Sequence, residues 1–216
     1  FELDVDAILR KQDERSKLLF ICAPNNPTGN IFNRDTILEL LEKFNGIVVI
    51  DEAYIDFSAT DSWLKELDKF PNLVVTQTLS KAYGMAGIRL GICYASAAII
   101  EILNKIKPPY NVNVLTQEYA LERIQDVVKI KNEISRIKEF KKELFKQLLQ
   151  YKFIEEIYPS EANFLLIKVD DATKRYQQLL QHTIVVRNRS NQPLCENTLR
   201  ITVGTEREVE TLITAL

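Results

Sequence analysis

The sequence predicts an α/β protein in which a mostly parallel sheet flanked by helices is followed by a smaller α+β domain. Three observations carry this. The apolar runs LLFICA (18–23), GIVVID (46–51) and NLVVTQ (72–77) are unbroken, as in strands buried on both faces, and IRLGICYA (88–95) adds a fourth. Helical patterns separate the runs, which argues for layered α/β architecture. The polar motifs APNNPTG, DEAY and TLSK follow the first three strands, at the carboxyl edge where open α/β sheets bind ligands.

Taken in order, FELDVDAILRK opens the chain as an amphipathic helix without an initiating Met. NRDTILELLEKF is a helix with Asn33 as its N-cap, and WLKELDKF is a second helical pattern that ends before Pro71 and Asn72. The prolines of KPPYNVN (107–113) stop a helix. Residues 114–150 are helical, with Val127, Ile130, Ile134, Ile137, Leu144 and Leu148 at three- and four-residue spacing, a stripe that core packing explains. NFLLIKV, TIVVRNR and TLRITVG then provide short strands before a final helix, EREVETLITAL. The expected division is a large domain over 1–112, connecting helices over 113–150 and a small domain over 151–216.

Composition excludes several classes. A net charge of -2 with interspersed signs offers nothing to nucleic acid or to an anionic membrane surface. Cys22, Cys93 and Cys195 form no CxxC pair, so neither a disulfide framework nor a zinc site is expected, and a reducing cytoplasm fits. The single His182 makes no metal cluster and is read as a surface or helix-end residue. No apolar run is long enough to span a bilayer.

The run QTLSKAYGMAGIRLG (77–91) places one lysine among hydroxyls just after a strand. Lys81 alone is an ordinary surface charge. Asp51, 30 residues earlier at the end of the neighbouring strand, Tyr54 beside it, Asn26 in the NNPTG turn and Arg89 eight residues on give the lysine partners. Each has a plain structural use: Asp51 as a cap, Tyr54 as core, Asn26 and Gly29 as turn residues, Arg89 in a surface ion pair. Together they point to pyridoxal 5'-phosphate. A lysine amine forms a Schiff base with its aldehyde, a buried carboxylate keeps its pyridine nitrogen protonated, and an arginine fork with hydroxyls binds its phosphate.

APNNPTG, DEAYIDF and TLSKAYGMAGIRLG resemble the cofactor motifs of fold-type I aminotransferases. With VVRNR…LRITVGT near the end, the wording is most similar to the histidinol-phosphate aminotransferases, across essentially the whole chain. The resemblance implies the fold-type I large domain and small domain. It makes Lys81 the cofactor-bearing and proton-shuttling residue and Asp51 the pyridinium partner. Asn26 and Tyr54 become ligands of the ring's phenolate oxygen, and Thr78, Ser80 and Arg89 ligands of its phosphate. Arg200 and Arg187, with Asn26, bind the substrate. Arg187 and Arg189 are read as alternating along a strand, so that at most one faces the site and the other is solvated.

The implied reaction exchanges an amino group between L-histidinol phosphate and 2-oxoglutarate, giving imidazole acetol phosphate and glutamate in histidine biosynthesis. A homodimer is expected of the complete enzyme. An aromatic aminotransferase, a threonine-phosphate decarboxylase and a noncatalytic module of the same fold are the alternatives; a dinucleotide-binding protein lacks its GxGxxG here. Relatives of this kind carry a further segment before the NPTG motif, with a phosphate-binding turn, a ring-stacking aromatic and sheet strands. The chain as it stands is therefore expected to expose a sheet edge and to be inactive alone.

Overall fold

The computed structural model describes residues 1–216. In chain order the elements are α1 (Val5–Lys11), β1 (Leu18–Cys22), α2 (Arg34–Lys43), β2 (Ile47–Asp51), β3 (Leu73–Thr78), β4 (Gly91–Ala95), α3 (Ala97–Ile106), α4 (Val114–Gln125), α5 (Val127–Leu148), β5 (Ile154–Ile157), β6 (Phe164–Val169), α6 (Ala172–Gln181), β7 (Arg187–Asn188), β8 (Thr198–Thr202) and α7 (Glu206–Ala215). They form two compact units, one of residues 1–24 and 31–130 and the other of residues 25–30 and 131–216. The NNPTG turn thus folds with the carboxyl-terminal unit.

In the first unit the four strands lie in the order β1-β2-β3-β4, with β1, β2 and β3 parallel and β4 antiparallel. The apolar runs behave as unbroken hydrophobic strands should, since Ile21, Val48, Ile50, Leu73 and Val75 join one buried cluster with Ile37, Leu40 and Leu41 of α2. Asn33 caps α2 by accepting from the Asp35 amide at 2.8 Å. WLKELDKF forms only a short 3₁₀ turn, Trp63–Glu66, capped by Ser62. The Arg34 guanidinium lies 4.1 Å from the centre of the Trp63 ring and 2.8 Å from Glu66, anchoring that turn to α2. β1 is an edge, and its Phe20 is 65% exposed.

In the second unit β5-β6-β8-β7 is wholly antiparallel. Leu165, Ile167, Val169, Leu199 and Ile201 alternate onto one face and pack with Leu144 and Leu148 of α5 and with α6 and α7. The stripe expected through 114–150 is interrupted: α4 and α5 are separate helices, and Val127 at the break is 49% exposed whereas Ile130, Leu144 and Leu148 are buried. TIVVRNR shortens to the two residues of β7, and His182 caps α6. Thr205 and Glu208 close a capping box on α7. No helix is long and apolar enough to cross a membrane.

Leu148 is fully buried, so Leu148→Ala should cost about 2–5 kcal/mol in urea unfolding. Val128→Ala on the same helix, at a position 72% exposed, should change stability by less than about 0.5 kcal/mol. Equal effects of the two would contradict this packing.

Candidate active site

Parallel register brings the motif residues of the first unit to one edge. Cys22, Asp51 and Thr76 are ladder partners across β1, β2 and β3, so Asp51 stands at the carboxyl end of β2 beside the end of β3. The Asp51 carboxylate is half-buried, and its Oδ1 accepts from the Ala53 amide at 3.0 Å. That bond fixes the group and leaves Oδ2 with no hydrogen-bond partner. Burial first, and then the negative charge of Asp51, push the Cys22 thiol above its ordinary pKa.

Glu52, the next residue, is only 1% exposed. Its carboxylate accepts from the Trp63 amide at 2.7 Å, the Ser62 hydroxyl at 2.6 Å and the Gln77 side-chain amide at 2.8 Å. A buried carboxylate needs such donors. Here they tie the end of β2 to Gln77, immediately before Thr78 on β3. Sequence reasoning passed over this glutamate; the signal available was an acid in an apolar strand end with no basic neighbour.

Thr78 accepts from the Ser80 amide at 3.1 Å, and its hydroxyl reaches Ser80 Oγ at 3.0 Å, so the two hydroxyls sit together. The following turn is closed by Gly84 N to Lys81 O and Met85 N to Leu79 O. Helix α4 supports it from behind: Arg123 Nε donates to the Tyr83 carbonyl at 3.0 Å, Thr116 to the Ile88 carbonyl at 3.4 Å, and Ala120 packs with Leu79 and Met85. On this frame Lys81 is exposed, and its Nζ lies 5.4 Å from the centre of the buried Tyr54 ring. It makes no hydrogen bond or ion pair. Arg89, at φ 56°, donates from Nη1 to the Ala86 carbonyl at 3.0 Å and is exposed. Of the expected residues, Asp51, Tyr54, Thr78, Ser80, Lys81 and Arg89 therefore belong to the first unit, with Lys81 and Tyr54 in contact.

Asn26, Arg187 and Arg200 belong to the second unit. Arg200 Nη1 donates to Asn26 Oδ1 at 2.6 Å, across 174 residues of sequence, and its guanidinium lies 4.9 Å from the centre of the Phe164 ring. Because Oδ1 is the acceptor, the Asn26 NH₂ remains available as a donor. The turn that holds Asn26 is built by Asn25, Thr28 and Asn30, whose side chains bond one another, and by Gly29. Gly29 has φ +79°, and a Cβ there would stand 2.5 Å from Ser160 Oγ, so both backbone and space require glycine. Lys141 donates to the Ser160 and Ala162 carbonyls at 2.7 Å each and holds the facing loop; burial lowers its pKa.

Arg187 pairs directly with Arg200 across β7 and β8, and residues opposite each other in an antiparallel pair share a face. The expectation that Arg187 and Arg189 alternate, with at most one facing the site, is corrected. Residues two apart in a strand also share a face. Arg187 is the exposed one, whereas Arg189 is half-buried with its Nε inaccessible. A cavity of about 650 Å³ in the second unit, lined by Ile184, Val186, Glu208 and Leu212, contains none of these residues. No cluster of three or more metal-ligating side chains occurs.

The first unit thus carries a lysine, a carboxylate and a phenol on one sheet edge, and the second carries an arginine–asparagine pair. The chain belongs to the class I and II aminotransferase family, whose model matches residues 1–216. It is 61% identical over its whole length to the histidinol-phosphate aminotransferase of Flavobacterium johnsoniae and 57% identical to that of Flavobacterium psychrophilum. It spans 62% of the length of each of these relatives. Among solved structures, the histidinol-phosphate aminotransferase from Clostridium acetobutylicum matches 99% of this chain and 66% of its own, with TM-score 0.91 and 25% identity. The Sinorhizobium meliloti enzyme, solved in complex with pyridoxal-5'-phosphate, shares the fold at TM-score 0.88 and 22% identity, over 99% of this chain and 60% of its own.

Glu52→Leu would leave three donors facing an apolar side chain. It should lower stability by at least about 2 kcal/mol in denaturant unfolding, with Gln77→Ala, which removes one donor, costing less. A Glu52→Leu variant as stable as the parent would show that the network contributes nothing.

Proposed function

We propose that this chain carries the cofactor-holding and substrate-gripping residues of an enzyme that exchanges an amino group between L-histidinol phosphate and 2-oxoglutarate, with pyridoxal 5'-phosphate as cofactor. The observation that carries the reading is the unpaired Lys81 amine over the Tyr54 ring, on the same sheet edge as the Asp51 carboxylate with its free Oδ2. The identity of 61% to the Flavobacterium johnsoniae enzyme supports the choice of substrate.

The residues fit the cofactor. When bound, pyridoxal phosphate supplies an aldehyde for an amine and a ring that takes up the electron pair left when the substrate Cα loses its proton. Lys81 is the one amine of the constellation. Being exposed and unpaired, it is free to take the aldehyde and then to carry a proton to and from the substrate Cα. Asp51, already held through Oδ1, would use Oδ2 to keep a proton on the ring nitrogen. Thr78, Ser80 and Arg89 offer two adjacent hydroxyls, an amide and a guanidinium to a phosphate; Arg89 is exposed and would exchange the Ala86 carbonyl for it. Tyr54 and the Asn26 NH₂ are donors suited to the phenolate oxygen.

For the substrate, Arg200 is oriented by Asn26 and backed by Phe164, and Arg187 stands opposite it. Two guanidinium forks suit a phosphate monoester better than a single carboxylate. A homodimer is part of this proposal. The first unit has apolar residues for it to bury, among them Ile102, Ile106 and Leu115, exposed by 58%, 72% and 76%.

The test is glutamate formation from histidinol phosphate and 2-oxoglutarate, made on this chain extended to its relatives' length. Asp51→Asn should retain the cofactor yet slow turnover by orders of magnitude, since each pKa unit lost at the ring nitrogen corresponds to about 1.4 kcal/mol. Near-normal turnover would remove Asp51 from that role. Release of CO₂ without use of 2-oxoglutarate would replace transamination with decarboxylation.

A further inference from the structure

We infer that Arg189 is a third phosphate-binding residue of this site and sets its preference for a dianionic substrate; the inference rests on the substrate reading above. Arg187 and Arg200 are ladder partners, and Arg189 N donates to the Thr198 carbonyl at 2.9 Å, so the pairing continues one step past the end of β7. Arg189 therefore stands opposite Thr198, on the face that carries Arg187 and Arg200. At about 3.3 Å of rise per residue, Arg187 and Arg189 start about 7 Å apart, which is within reach of one phosphate for side chains of this length.

The cations of this face are not equivalent. Lys168, on β6 opposite Thr198, lies 3.7 Å from the Glu155 carboxylate. Arg200 is engaged by Asn26 and Phe164. Arg187 is unpaired but exposed, so water serves it. Arg189 is half-buried, its Nε is inaccessible to solvent and unbonded, and no neighbouring side chain engages its guanidinium. The adjacent Ser190 Oγ is likewise buried and unbonded.

Burying polar atoms such as the Arg189 Nε without partners is costly and persists where a ligand completes the group. A phosphate monoester dianion has three oxygens, enough to meet forks from Arg187, Arg189 and Arg200. A lone carboxylate has two and would leave one fork unmet. The substrate class that satisfies this face is a phosphorylated amine.

The experiment uses the full-length protein loaded with pyridoxal phosphate and compares wild type with Arg189→Gln and Arg189→Lys. Inorganic phosphate is titrated by calorimetry, and histidinol phosphate and histidinol are assayed as amino donors. Arg189→Gln should weaken phosphate binding and raise KM for histidinol phosphate about tenfold or more, with kcat/KM for histidinol unchanged and Arg189→Lys intermediate. Its melting temperature without phosphate should equal or exceed that of wild type, because an unmet charge has been removed. Unchanged phosphate binding in Arg189→Gln overturns the inference whatever the donor preference. A lowered melting temperature with equal losses on both donors also overturns it, by making Arg189 structural. A wild type indifferent to the donor's phosphate would instead defeat the substrate reading, and the phosphate titration would still decide Arg189.

Discussion

The first unit depends on one buried carboxylate. Glu52 gathers the Trp63 amide, the Ser62 hydroxyl and the Gln77 side chain at 2.6–2.8 Å. The Glu52 amide also donates to the Thr76 carbonyl at 2.8 Å. Glu52 therefore ties β2 to β3 through both backbone and side chain, between Asp51 and Thr78, where the proposed cofactor contacts lie. The position of Lys81 follows, since its turn starts at Thr78 and is backed by Arg123 and Thr116 of α4. Rigid support of this kind matters because small misplacements of reacting groups are costly in rate.

The second unit solves a similar problem with different means. Its arginines project from a short antiparallel sheet whose other face is the apolar core, so they have a firm base. Asn26 comes from a turn almost at the other end of the chain, fixed by the fit of Gly29 against Ser160 and by the Lys141 bonds to that loop. Lys141 accepts a depressed pKa through burial, and in exchange closes two carbonyls. Orientation of Arg200 by Asn26 makes this cation, the proposed substrate contact, a prepared group rather than a flexible one.

The sequence disclosed the parts whose signals are local. Unbroken apolar runs gave β1, β2 and β3, and Asn33 marked the start of α2. Lys81 and Asp51 could be singled out because parallel strands deliver their carboxyl ends to one edge. What was not legible depended on partners distant in the chain. WLKELDKF has a helical pattern, yet Trp63 and Glu66 are captured by Arg34 and Glu52 and only a 3₁₀ turn forms. The break between α4 and α5 at Asp126 has neither glycine nor proline to announce it. Which of Arg187 and Arg189 is solvated could not be told, because burial there depends on strand pairing, which a single sequence does not display.

The central claim is that Lys81 is the residue that takes the cofactor aldehyde. The most direct test is reduction of the pyridoxal-phosphate-loaded protein with borohydride, digestion and mass mapping of the modified peptide. The account predicts one pyridoxyl-modified site, at Lys81, and its loss in Lys81→Ala. Modification centred on another lysine, or undiminished in that variant, would contradict it.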